Sequence, residues 1–391
     1  MPVYLDHAAT TPMRPEAIAA YTEAMSVVGN PSSIHSQGQQ ARRMLEEARE
    51  TVAATLGADP IEIVFTSGGT EAINLAVKGM FWARNDGARR PGVLVPGGEH
   101  HATVDTVEWL ERYEGARADL LPLDAAGRIA VPDAVAPDTA LLSFLAVNNE
   151  VGTVQPVAAL AAVAHEAGVP VHVDAVAAYG HMPIDVGALG VEALSVSAHK
   201  IGGPVGIGAL VLGRSSSVVP LIHGGGQQRQ VRSGTQDVAA AVSFAVAARA
   251  AEAEREAEAV RLAALRDRLI HGVRAAVPEA VLSGPEPGEE RVAVNAHFTF
   301  PGAQGDSLLF LLDMAGVSVS TGSACQAGIP EPSHVLLAMG RSEEQARSAL
   351  RFTLGRTSTE ADVDALLAAL PAAYAQASRA GLAERAPRLG R

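Results

Sequence analysis

Short apolar runs bounded by glycine and proline recur along the first two thirds of the chain, with longer amphipathic stretches between them. The runs fall at Ile61 to Phe65, Gly92 to Val95, Ala140 to Val147, Val169 to Val173, Ala193 to Val196 and Ile207 to Leu212. Runs this short with turn residues on either side read as strands buried on both faces. Between two of them, Val157, Leu160, Ala161, Val163 and Ala164 repeat at helical spacing, and Gly168 supplies a stop. Strands alternating with helices predict a largely parallel sheet with helices on both faces.

After residue 238 the pattern changes to one long Ala/Glu/Arg-rich helix, Val238 to about Ala276, whose charges form a solvated face. A Gly/Pro/Glu turn at Ser283 to Glu290, a strand around Val292 to Phe300 and an α+β remainder follow. The boundary between a large and a smaller domain is placed inside the long helix. The large domain takes residues 15–255; the small one takes 1–14 together with 256–391. Arg379, Arg385, Arg388 and Arg391 mark a basic tail expected to fray.

A chain of 391 residues buries a core large enough for this division. No signal-like opening and no apolar run of about 20 residues is present, so a cytoplasmic protein without a membrane span is expected. The formal net charge of −13 argues against direct contact with nucleic acid and suits basic protein partners, or solubility alone. One cysteine, Cys325, excludes an intramolecular disulfide. Lys78 and Lys200 are the only lysines, so chemistry that needs a lysine amine has two candidates.

Ligands of a parallel sheet gather at the carboxyl ends of its strands, and four such ends carry polar chemistry. Thr66-Ser67-Gly68-Gly69-Thr70-Glu71 opens a helix expected over residues 71–83, where backbone N–H groups suit a phosphate; alone, the segment is equally an ordinary cap. Glu99-His100-His101 offers an imidazole to stack on a flat ring or move protons, or a pair of hydrated loop histidines. His172-Val173-Asp174 sets an acid at the end of an apolar strand, a costly placement unless it meets a cation such as a protonated pyridine nitrogen. Ser195 to Lys200, followed by Ile201-Gly202-Gly203, sets a lysine where it can form an imine with an aldehyde cofactor. Lys78 sits inside a helix, where a solvated amine explains it. Together the four ends supply the parts of a pyridoxal phosphate site.

Lone cysteines are more often small buried hydrophobes than nucleophiles. The segment Ser320 to Pro332 around Cys325 is rich in Ser, Gly, Ala and Pro, a poor core and a good loop. In this setting the chain resembles the cysteine desulfurases of the NifS/IscS-like, class V aminotransferase group. The resemblance runs in order through Tyr4 to Thr11, Asn30 to His35, Ser67 to Glu71, Asn148-Asn149-Glu150, His172 to Ala175, His199-Lys200, His223 to Gly226, Arg232 to Thr235, the Cys325 loop and Arg351-Phe352.

The resemblance implies pyridoxal-phosphate fold type I, a mostly parallel sheet in a large domain with a smaller α+β domain, and a homodimer. Lys200 would hold pyridoxal 5'-phosphate as a Schiff base and shuttle the α-proton, Asp174 would pair with the pyridine nitrogen, and His100 would stack on the ring. Gly69, Thr70, Ser197 and His199 would hold the phosphate, joined by Thr235 from a second subunit. Asn149 and Arg351 would grip the carboxylate of L-cysteine. Cys325, as thiolate, would take the substrate sulfur as a persulfide, release L-alanine and pass sulfur to an acceptor or scaffold protein for iron–sulfur assembly or tRNA thiolation. No intrinsic metal site is implied, although Cys325 can transiently ligate a cluster shared with a scaffold. Where the family commonly has a glutamine on the cofactor's phenolic oxygen, this chain has Ala177. A selenocysteine lyase or another class V lyase or aminotransferase, and a non-catalytic sulfur-transfer scaffold, are the alternative readings.

Overall fold

The computed structural model describes residues 2–322 and 331–384. Its strands are β1 (Val3–Tyr4), β2 (Ile63–Thr66), β3 (Gly92–Pro96), β4 (Arg117–Leu121), β5 (Thr139–Leu145), β6 (Val171–Asp174), β7 (Ala193–Ser197), β8 (Gly208–Leu212), β9 (Val281–Ser283), β10 (Asn295–Thr299), β11 (Val317–Ser318) and β12 (Ala349–Thr353). The α-helices are α1 (Pro15–Met25), α2 (Ser36–Ala54), α3 (Gly69–Asn85), α4 (His101–Glu114), α5 (Val157–Glu166), α6 (Val186–Leu189), α7 (Val238–Ala276), α8 (Gly305–Met314), α9 (His334–Ala338), α10 (Glu343–Arg347) and α11 (Glu360–Glu384).

Seven strands form the main sheet in the order β2-β8-β7-β6-β5-β3-β4, and β8 alone runs against its neighbours. The expected parallel sheet is thus present with one reversed strand. Successive side chains point to opposite faces. Val64, Leu210 and Leu212 meet α3 and α4 on one side, while Phe65, Ala209, Val211, Leu194 and Val196 share a core with α2 and α7 on the other. Strands covered on both faces need apolar residues at every position, which is why the predicted runs are continuous rather than alternating.

A separate three-stranded sheet, β12-β10-β9, has one apolar and one polar face. Ala296, Phe298, Leu350 and Phe352 enter the core, and the alternate residues Asn295, His297, Arg351 and Thr353 face the other way, paired Asn295 with Thr353 and His297 with Arg351. The chain's beginning joins this region: β1 pairs in parallel with β11, Asp6 bridges to Thr353, and Thr11 N–H donates to the His199 carbonyl.

Three expectations need correction. The edge strand β4 was not anticipated, because Arg117 and Asp119 interrupt its apolar pattern; both pair outward, Arg117 also with Asp138. The helix expected over 71–83 begins at Gly69 and ends at Asn85. Arg379 lies within α11 rather than in a frayed tail, and Arg385, Arg388 and Arg391 lie outside the described residues. No helix among the described residues is long and apolar enough to cross a membrane.

Candidate active site

The carboxyl ends of β2, β5, β6 and β7 open on one cavity of about 490 Å³, closed from the far side by the polar face of β10 and β12 and by the first residues of the chain. Gly69, Thr70, His100, Asn149, Asp174, Ser197, His199, Lys200 and Arg351 all line it, as does Ala177. Thr235 is exposed and does not line this cavity. Cys325 lies outside the described residues; Ser320 and Gly322, just before it, border the cavity.

At the entrance to α3, Gly68 has φ 153°, a conformation that favours glycine, and leaves the first turn of the helix open toward the cavity. Gly208 on β8 sits directly behind: a β-carbon there would stand 2.8 Å from the Gly68 carbonyl carbon and 2.6 Å from the Val196 carbonyl oxygen. The turn is fixed by Glu71, which accepts from Ser67 N–H at 2.7 Å and from Arg232 at 2.8 Å. Burial alone would raise the Glu71 pKa, but the bonds from Arg232 and Ser67 outweigh it and hold it low. Across the cradle, Ser197 Oγ is buried without a hydrogen-bond partner among the described residues.

Asp174 is 2 % exposed and accepts from Val176 N–H at 2.9 Å. Burial pushes its pKa up to about 6, and Lys200 pulls weakly the other way. Its strand is braced by His172, whose ring bridges Ser143 and Ser195 at 2.8 Å each. Burial brings the His172 pKa down to about 3, so this imidazole is a neutral strut. His100 caps α4 by accepting from Ala102 N–H at 3.0 Å. The protein packed around it, and then Lys200, lower its pKa to about 4, although the ring keeps an open surface toward the cavity.

Lys200 Nζ donates to the carbonyls of Ala8 and Ala9. Burial first, then Arg351, lowers its pKa to about 8, so a usable fraction of the amine is unprotonated near neutrality. Lys78 Nζ instead lies 4.2 Å from the Trp109 ring centroid, a cation–π contact rather than the fully solvated amine expected. Arg351 donates to the Asn149 carbonyl at 3.0 Å and to Asp6 Oδ1 at 2.9 Å, while the Asn149 Oδ1 atom is buried without a partner among the described residues.

Several participants were not assigned roles from the sequence. The Ala8 and Ala9 carbonyls act through backbone, which no residue type announces. Asp6 was part of a quoted segment and its tie to Arg351 spans 345 positions. Glu99 and Glu150 are each 2 % exposed, and burial is the first cause raising both pKa values. An acid next to a candidate functional residue was the only available signal for either.

An open α/β sheet with a glycine cradle at a helix entrance, an uncompensated acid and a lysine of lowered pKa at the same edge defines a pyridoxal-phosphate enzyme of fold type I. Residues 3–366 match the family Aminotransferase class-V. A Mycobacterium tuberculosis protein named "IscS-like cysteine desulfurase" is 52 % identical over 386 residues, covering 97 % of this chain and 98 % of that protein. A solved structure titled "NIFS-LIKE PROTEIN" superposes with TM-score 0.89 at 34 % identity, over 96 % of this chain and all of that one. Another, "SspA in complex with cysteine", gives TM-score 0.77 at 34 % identity, over 90 % of this chain and 98 % of that one. The chain belongs to the class V aminotransferase family and, within it, to the NifS/IscS-like cysteine desulfurases.

The residues present fit the cofactor of that family. The unpartnered Ser197 Oγ and the open α3 turn suit a phosphate, Asp174 lacks the cation its burial calls for, and the Lys200 amine is free enough of its proton to bond an aldehyde.

Proposed function

We propose that this protein is a pyridoxal-phosphate-dependent cysteine desulfurase that converts L-cysteine to L-alanine, holds the sulfur as a persulfide on Cys325, and hands it to an acceptor protein. The observation that carries the reading is the presence of Lys200 and Arg351 in one cavity with Asp174, an amine, a guanidinium fork and a buried acid lining a single space. When bound, pyridoxal phosphate supplies an electron sink that lets the substrate's Cα–H bond and then its C–S bond break.

The chain's own residues divide the remaining work. Thr70, Ser197 and His199 hold the phosphate with the α3 amide groups, and Thr235 completes the hold from a second subunit. Asp174 meets the pyridinium proton as an anion. Arg351, with Asn149, orients the substrate by its carboxylate, exchanging one of its present bonds for the incoming oxygens. Lys200 would take the α-proton and later return one, while His100, neutral and facing the cavity, would assist proton transfer. Cys325 thiolate attacks the substrate sulfur: an S–S bond forms, the C–S bond breaks, and the electron pair of that bond takes up a proton on carbon to become the methyl group of alanine. No external oxidant is required.

Residues 15–255 are read as the cofactor-binding domain, and 1–14 with 256–391 as the domain that carries the cysteine loop. The IscS-like name of the M. tuberculosis relative supports iron–sulfur cluster assembly as the destination of the sulfur, with tRNA thiolation the further branch. Cys325→Ser should keep the cofactor's visible absorption and lose alanine formation from L-cysteine by at least about a hundredfold. Unchanged alanine production by that variant would remove the persulfide step from the reading.

A further inference from the structure

His297 is fully buried on the polar face of β10, yet among the described residues neither of its ring nitrogens has a hydrogen-bond partner. A buried imidazole normally pairs at least one nitrogen, and leaving both unpaired is costly unless another state of the protein uses them. Its cross-strand partner is Arg351, where a second such atom lies: Arg351 Nε is buried with no acceptor among the described residues, while the terminal nitrogens bond Asn149 and Asp6. Directly opposed residues of an antiparallel pair carry their β-carbons about 5 Å apart on one face, within reach for a long side chain. On the other side, the edge of Gly322 faces both His297 and Glu150. A β-carbon at Gly322 would stand 3.4 Å from His297 Nε2 and 3.5 Å from Glu150 Oε2, so the two groups border the same small space. Glu150 Oε2 is an acceptor already, taking the Ser333 hydroxyl.

We propose that His297 is the positioning residue for substrate-carboxylate recognition: when the carboxylate takes the terminal nitrogens of Arg351, His297 Nδ1 accepts from Arg351 Nε–H and Nε2–H donates to Glu150. Arg351 has too few acceptors for all its donors while Asn149 and Asp6 hold its fork, and the rearrangement gives each of its nitrogens a partner. The imidazole must be neutral to accept from a cation, and burial followed by the charges of Arg351 and Arg291 keeps its pKa down at about 3. The direction of the relay fixes the tautomer, with the proton on the nitrogen nearer Glu150. This inference rests on Arg351 being the carboxylate site, and it adds the group that holds the arginine in the loaded arrangement.

The test uses the cofactor-loaded full chain and two probes: L-alanine, which carries the carboxylate, and 2-aminoethanethiol, which lacks it. Binding of each is followed by the change in visible absorption. His297→Leu should weaken L-alanine binding and raise KM for L-cysteine about tenfold, with kcat held within about twofold and 2-aminoethanethiol binding unmoved. His297→Asn, which keeps one acceptor and one donor, should recover most of the loss. In an Arg351→Ala background, His297→Leu should cost nothing further. Equal losses for both probes, or an undiminished His297→Leu effect after Arg351→Ala, would assign His297 to packing alone and overturn the proposal. Failure of the unaltered protein to bind L-cysteine would instead sink the reading of the cavity as the substrate site, and this inference with it.

Discussion

Asp174 carries the conflict between folding and cofactor binding at a single residue. Its ordinary pKa of 3.8 rises to about 6 because burial disfavours the anion. A folded-state pKa above the unfolded one means that, between those values, the native chain binds a proton the unfolded chain has lost. In the cofactor-free protein the ionised group therefore opposes folding fully above about pH 6, and the penalty fades as pH falls toward 3.8. Asp174→Asn should raise the stability of the cofactor-free protein at pH 7 by about 2–3 kcal/mol, an advantage that shrinks by pH 4.5. The same change should weaken pyridoxal phosphate binding, since a neutral amide cannot pair with a pyridinium. Denaturant titrations at the two pH values check the first effect and cofactor fluorescence the second. A stability difference independent of pH would show that the carboxylate is not the cause. Asp174 was legible in the sequence because an acid closing an apolar strand has few explanations. Glu99, equally buried, was not, because an acid in a glycine-rich turn is ordinarily solvated.

Among the elements, β8 is both a structural filler and the back wall of the cradle. Gly208 pairs with Thr66 on β2 and Ser197 on β7, the two strand ends that frame the proposed phosphate position. A β-carbon there meets backbone on two sides, and backbone cannot swing away as a side chain can. Gly208→Ala should destabilise the fold by about 1–3 kcal/mol and, by pushing the Gly68 turn forward, reduce cofactor affinity more than substrate affinity. Thermal melts and cofactor titration measure the two parts; an undisturbed cofactor affinity would mean that the turn moves independently of β8. The sequence revealed the buried strands and α7, whose Val238–Ala276 span agrees with the expected limits, because long continuous patterns leave little choice of period. It did not reveal that β8 runs backward. Direction is set by how the connection crosses the sheet, and a short apolar run is the same read either way. It also hid β1, whose two residues form a strand only because β11 is beside them.

Across the whole molecule the site is assembled from remote parts of the chain. Ala8 N–H donates to Thr353 Oγ1, Asp6 pairs with Arg351, Lys200 reaches the carbonyls of Ala8 and Ala9, and Arg14 holds the Ile201 carbonyl. Removing residues 2–9 should leave the seven-stranded sheet folded, lower the melting temperature by several degrees, about 4 °C per kcal/mol lost at most for a chain of this size, and raise KM for L-cysteine. Circular dichroism and steady-state kinetics are the measurements. A truncated protein with an unchanged KM would separate the N-terminal segment from carboxylate recognition.

That threading has a consequence for the order in which the protein is made. Val3, Asp6 and Ala8 are held by β11 and β12, so these partners are made hundreds of residues after them. Before those strands exist the N-terminal segment has only its ties to the main sheet, from Lys200 to the Ala8 and Ala9 carbonyls and from Thr11 N–H to the His199 carbonyl. A chain halted before Arg351 would carry Lys200 and the Gly68 turn without the guanidinium that the proposed reading assigns to the substrate carboxylate. β12 is thus the strand on which the proposed discrimination among amino acids depends, although Lys200 is made well before it.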